Sequence, residues 1–259
     1  MFAPLPRVRR LFLALFLSGA LVGCARGPEE RHWRRLGPGP ARVELRASWG
    51  RPLPFCPASL GAGERHVILV AGEQRLALDP RTGEPVPDLA EEPAPAADRG
   101  ARLFWEDRTL TLYGPAGRLV ASREGRLRPA WVVEFGTAVE APLQLHRGRV
   151  VVQALDNYVY ALRARNGHEL WRTRLSHRLT RAGAFWEDQF LSIPANAGRL
   201  VVLDLRDGSE SGSWSLEDPA ERFVSGPVVV GDRVVAAASP WGAGSCSALG
   251  LDILPETVD

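Results

Sequence analysis

Four glycines set the frame of this sequence. Gly83 (ALDPRTG), Gly125 (LVASREG), Gly167 (ALRARNG) and Gly208 (VLDLRDG) each follow an apolar run, and they recur at about 42, 42 and 41 residues, the spacing of a four-stranded repeat unit. Two further markers keep the same register. Phe104-Trp105-Glu106-Asp107 returns as Phe185-Trp186-Glu187-Asp188, about two periods on. A tryptophan follows three of the glycines, as Trp131, Trp171 and Trp214. A chain with such a period must build its core between copies of one small motif.

The clearest copy runs from Val150 to Leu175, VVQALDNYVYALRARNGHELWRTRL. Its apolar runs predict strands over Val150–Leu155, Tyr158–Ala164 and Glu169–Leu175. Asn166-Gly167 between two of them predicts a type I′ hairpin, which needs positive φ at both central residues. Within Tyr158–Ala164, Tyr158, Tyr160 and Leu162 alternate with Val159, Ala161 and Arg163, giving one large and one small face. A meander of this kind cannot bury both faces alone, so copies must stack. Units centred near Val70, Leu112, Val152, Val202 and Val235 make five, and the expected fold is all-β: a β-propeller of about five four-stranded blades. Val43–Trp49 is a β-like run without a hairpin partner, and the chain stops before a fourth strand of the fifth blade. The N-terminal strand is therefore expected to close the last blade, within a propeller domain spanning 42–259.

Tyr158-Val159-Tyr160-Ala161-Leu162, followed by Asn166-Gly167-His168-Glu169-Leu170-Trp171, resembles the quinoprotein-like (PQQ-like) propeller repeat. Leu76–Glu84, LALDPRTGE, is similar to the first half of that pattern, as is Val201–Gly208, VVLDLRDG. Propellers of this family usually have more than five blades. The functional relatives that the resemblance implies are the propeller lipoproteins of the outer-membrane barrel-assembly machinery. They dock on the core assembly protein and help to present unfolded barrel strands. The expected function is thus a non-catalytic scaffold without a cofactor, whose envelope partner would be a protein such as the barrel-assembly core. Two alternatives stand beside it: a lipoprotein sensor that binds a small ligand in the central channel, and a quinone-dependent dehydrogenase. Quinoprotein dehydrogenases hold the quinone with calcium, and many carry two adjacent cysteines, whereas no two of the three cysteines here are adjacent.

The N-terminus carries its own signal. Arg7, Arg9 and Arg10 precede the apolar run Leu11–Val22, which is shorter than the roughly 17–25 residues of a membrane-spanning helix and reads as an export signal. Leu21-Val22-Gly23-Cys24 resembles the bacterial lipobox. That resemblance implies a lipoprotein signal peptide over 1–23, lipidation of Cys24 and a lipidated tether over 24–41. Ala25 after the cysteine points to the periplasmic face of the outer membrane, with the membrane as a partner through the lipid anchor. Losing Arg7, Arg9 and Arg10 takes the formal charge from +2 to −1. Every basic residue is arginine, scattered without a patch, which argues against a nucleic-acid partner.

Little in the chain points to catalysis. The five histidines are dispersed without zinc-site spacing, so no metal site is expected. The acids of Glu106-Asp107 and Glu187-Asp188 occupy equivalent places in two repeats and read as turn residues. Glu84–Gly100, rich in proline and acid, reads as an inserted loop. Trp241, in the glycine-rich loop Ser239–Ser247, is a candidate interface residue or a filler between blades. Cys56 and Cys246 fall in the first and fifth blades, neighbours in a closed ring. A disulfide and two free thiols are both compatible with the spacing.

Overall fold

The computed structural model describes residues 43–63, 65–87, 102–242 and 244–255. The expected signal peptide (1–23), Cys24, the tether (24–41) and residues 88–100 of the inserted loop lie outside the described residues. The described chain forms five antiparallel sheets that follow one another as blades. Blade 1 is Ser59–Ala62, Val67–Ala71 and Gln74–Leu78. Blade 2 is Arg102–Trp105, Arg108–Tyr113, Arg118–Arg123 and Trp131–Glu134. Blade 3 is Gln144–His146, Arg149–Gln153, Tyr158–Arg163 and Glu169–Arg174, and blade 4 is Ala184–Trp186, Gln189–Ser192, Arg199–Asp204 and Glu210–Ser215. Blade 5 takes Val228–Val230, Arg233–Pro240 and Cys246–Pro255, with Val43–Leu53 as its outer strand. Leu45 pairs with Ile253 and Ala47 with Leu251, so the N-terminal strand does close the last blade.

Two blades depart from four strands. Blade 1 has three among the described residues. Where its fourth would run, Leu78 forms an isolated bridge with Pro85, and the Val86 N–H donates to Ala77 O at 2.9 Å. Pro85 and Pro87 have no N–H to extend that ladder. Blade 5 has five, because Glu221–Phe223 adds to the far end of Arg233–Pro240.

The expected I′ turn at Asn166-Gly167 is also corrected. Only Gly167 has positive φ, 69°, and the turn is longer, with the N–H groups of both Asn166 and Gly167 reaching Arg163 O. The two-residue turn with both residues at positive φ is instead Arg147-Gly148, at 46° and 73°.

The period-2 alternation of Tyr158–Arg163 distributes one strand between two seams. Tyr160 and Leu162, with Val150 and Val152, pack against Leu110, Leu112 and Leu119 of blade 2. Val159 and Ala161, with Val151, pack against Phe190, Val201 and Leu203 of blade 4. Equivalent clusters join blade 4 to blade 5 and blade 5 to blade 1. Each fully buried Val, Leu or Phe contributes about 1.5–3 kcal/mol, so the seams hold most of the core.

Tryptophans fasten these seams. Trp131, on the outer strand of blade 2, donates from Nε1 to Ala164 O of blade 3 at 3.1 Å. Trp171 does the same to Leu205 O of blade 4 at 2.9 Å, and Trp49 to Pro80 O of blade 1 at 2.9 Å. Each ring lies over the turn glycine of the next blade. A Cβ at Gly167 would meet Trp131 at 2.7 Å, and one at Gly83 or Gly208 would meet Trp49 or Trp171 as closely. Trp214 has no such turn to cover, because the third and fourth strands of blade 5 come from opposite ends of the chain. It packs in the seam beside Phe223 instead, ring centroids 6.2 Å apart.

Candidate functional site

The chain enters blades 1, 3, 4 and 5 at the innermost strand, so these described connections gather on one face. There they line a cavity of about 760 Å³ to which all five blades contribute. Leu60, Leu103, Leu143, Leu145, Phe185 and Val228 supply an apolar wall. Among the described lining residues the ionisable groups are Arg181 and Glu140, the latter exposed.

Polar contacts between blades hold the wall in place. Gln144 of blade 3 spans to blade 4, its Nε2 donating to Gly183 O at 2.8 Å while its Oε1 accepts from Gly183 N at 2.9 Å. Gln153 Nε2 donates to Arg181 O at 2.7 Å, and Ser192 Oγ donates to Gln153 Oε1. Both glutamines sit in strands where an apolar residue would pack equally well in one blade. Their side chains instead satisfy backbone groups of the next connection, which ties blade 3 to blade 4 at this face.

The candidate residues of the sequence fall at the same end. Cys56, in the connection into blade 1, and Cys246, at the start of a blade 5 strand, form a disulfide with Cα atoms 5.1 Å apart. It joins positions 190 apart in sequence, across the seam where the ring closes. Trp241 stands in the blade 5 hairpin next to that bond. It is 65% exposed, its ring is stacked under the Arg222 guanidinium, and its backbone N–H donates to Ala220 O at 2.9 Å. It is a held, outward-facing aromatic rather than a filler between blades.

The paired acids lie on the opposite face, in turns. Glu106 and Glu187 have φ of 50° and 49°, Asp107 pairs with Arg123 at 3.0 Å, and Asp188 with Arg147 at 2.7 Å. Burial, reinforced by a hydrogen bond to Asp156 at 2.6 Å, pushes the Tyr160 hydroxyl well above its ordinary range. It donates inside a seam, away from the cavity lining. Among the described residues no three His, Cys, Asp or Glu side chains gather as a metal site. Sequence reading missed Arg181, Gln144 and Gln153. Arg181 is one arginine of many in the chain, and only the ring shows that it lines the axis.

Against known proteins, a family model described as "Outer membrane protein assembly factor BamB" matches residues 72–247, more than half of the chain. No curated protein matches. Among solved structures, BamB from Moraxella catarrhalis aligns with a TM-score of 0.41 and 12% identity, over 73% of this chain and 68% of that one. The computationally designed Ika4 protein aligns at 0.46 and 18% identity, over 60% and 89%. Glutaminyl cyclase from Myxococcus xanthus aligns at 0.42 and 11% identity, over 83% and 99%.

Proposed function

Since the chain belongs to the family of outer membrane protein assembly factor BamB, we propose that it is a non-catalytic, lipid-anchored propeller scaffold of the bacterial envelope that serves outer-membrane protein assembly. The observation that carries this reading is the family match over residues 72–247. The geometry is consistent with it. On the face of the ring where the chain ends are joined, Trp241 projects from the blade 5 hairpin that leads to Cys246 of the Cys56–Cys246 bond. Exposed aromatics on rigid supports make effective interface anchors, and the order already present limits the entropy lost on docking. The lipobox-like sequence ending at Cys24 supports attachment of the chain to the periplasmic face of the outer membrane. Tethering of that kind raises the effective concentration for a membrane partner. No cofactor enters this function.

The test is affinity purification of the tagged full-length chain from its host after cross-linking in vivo, beside a Cys24→Ala variant. The expected result is stoichiometric recovery of the barrel-assembly core protein, reduced several-fold without the lipidation cysteine. Recovery of the chain with no envelope protein at stoichiometric yield contradicts the reading. Replacing Trp241 by Ala then locates the face: recovery should fall while the thermal midpoint stays within a few degrees.

A further inference from the structure

The central cavity is lined by one cation, and among the described residues no carboxylate forms an ion pair with it. Arg181 lies in the connection from blade 3 to blade 4 and is fixed from two sides. Gln153 holds its carbonyl oxygen at 2.7 Å, and Gly226, from the connection into blade 5, runs close enough that a Cβ added there would lie 3.6 Å from the Arg181 Cβ. Its Nη1 is shut off from solvent without a hydrogen-bond acceptor, the residue as a whole stays partly exposed where it lines the cavity, and no carboxylate pairs with it among the described residues. Burial lowers the guanidinium's pKa, with no anion offsetting the effect.

Other arginines that are buried or partly buried are treated differently. Arg108 lies over the Trp105 ring and near Glu106 and Asp107, Arg233 pairs with Asp252, and Arg222 stacks on Trp241, so each has a partner for its charge although one buried Nε in each is left without a hydrogen bond. A desolvated cation left unpaired is strongly unfavourable, and a carboxylate or phosphate is what its planar fork fits.

We propose that the central cavity binds a small molecule bearing one carboxylate and an apolar body, the carboxylate pairing with Arg181 and the body packing on Leu60, Leu103, Leu145, Phe185 and Val228. One cation in the lining calls for one negative charge, and the exposed Glu140 disfavours a ligand with more. The remaining wall is mostly apolar, so a fully polar anion would leave it uncovered. At about 760 Å³ the space falls within the roughly 300–1,000 Å³ of small-molecule sites. The site is separate from the proposed scaffold role and stands whether or not a protein docks near Trp241.

Hexanoate and its uncharged match hexanamide are suitable probes, titrated calorimetrically into the full-length chain in nonionic detergent against a detergent blank. Hexanoate should bind saturably at one site, hexanamide at least tenfold more weakly. Arg181→Met should abolish the preference for the carboxylate while keeping or raising the thermal midpoint, since it removes an unpaired buried charge. The comparison of the two probes on the parent chain needs no variant and decides the matter even if Arg181→Met fails to fold. Absence of saturable hexanoate binding, equal binding of hexanamide, or a preference that survives in a folded Arg181→Met chain overturns the proposal.

Discussion

The seam between blades 3 and 4 and the seam between blades 1 and 2 use the same turn for different ends. At Gly208 the glycine is required twice: for a φ of 74°, and because the Trp171 ring lies where a Cβ would be. At Gly125 the φ is 69°, yet no described residue stands within 4 Å of a Cβ. The tryptophan that would cover Gly125 belongs to an outer strand of blade 1. Among the described residues that position holds only the Pro85 bridge and the Val86 hydrogen bond. A turn glycine therefore marks the backbone period wherever it occurs, but it marks a fastened seam only where the preceding blade supplies the ring.

The comparison can be broken most forcefully at the tryptophan. Trp171→Ala removes a buried ring and its bond to Leu205 O, and should cost about 3–5 kcal/mol in denaturant unfolding. A loss below about 1 kcal/mol would mean that the ring fastens nothing. Next in size, replacing Cys56 and Cys246 together by Ser should cost about 2–4 kcal/mol, read as a lower thermal midpoint. The same mutant chain should show no further change on adding reductant.

The glycines themselves sharpen the contrast. Gly125→Ala meets only the left-handed backbone penalty, about 1–2 kcal/mol. Gly208→Ala meets that penalty and overpacking against Trp171, about 1–3 kcal/mol more. Equal losses at the two sites would erase the distinction between the seams.

A fastened seam also carries a pH signature. Burial first, and the Asp156 hydrogen bond second, raise the folded pKa of Tyr160. The unfolded chain releases this proton near pH 10 while the folded chain keeps it. Above that pH the unfolded state binds fewer protons, so stability falls as pH rises, by about 1.4 kcal/mol per pH unit. Tyr160→Phe should flatten this alkaline slope in pH-dependent unfolding. The smallest effect belongs to the other side of blade 2, where Leu127 is fully exposed. Leu127→Ser should change stability by no more than about 0.5 kcal/mol.

Much of this architecture is legible in the residues because propeller seams are built from local repeats. The glycine period, the alternation of Tyr158–Arg163 and the unpaired run Val43–Trp49 together give five blades and the terminal closure. What escaped were features set by neighbours rather than by the repeat. Trp49 reads as part of a stray strand until its blade is placed beside Pro80. The strand Glu221–Phe223 is too short and too polar to announce itself, and it forms because Arg233–Pro240 runs past its neighbour Val228–Val230. Asn166 suggested the tighter turn by composition, whereas the bulge at Ala161/Leu162 lengthens it. Arg181 has no local signature at all: its meaning comes from the four other blades around it.

Hydrogen exchange of the full-length chain reads whether the N-terminal strand closes the ring. Those amides of Val43–Leu53 that bond to Cys246–Pro255, and those of Cys246–Pro255, should be protected to the same degree as those of Tyr158–Arg163, all of them exchanging through global unfolding. Arg123–Ala130, beside the uncovered Gly125, should exchange far earlier. Rapid exchange across Val43–Leu53 while Tyr158–Arg163 stays protected would contradict the account, because the ring would then be open where the structure closes it.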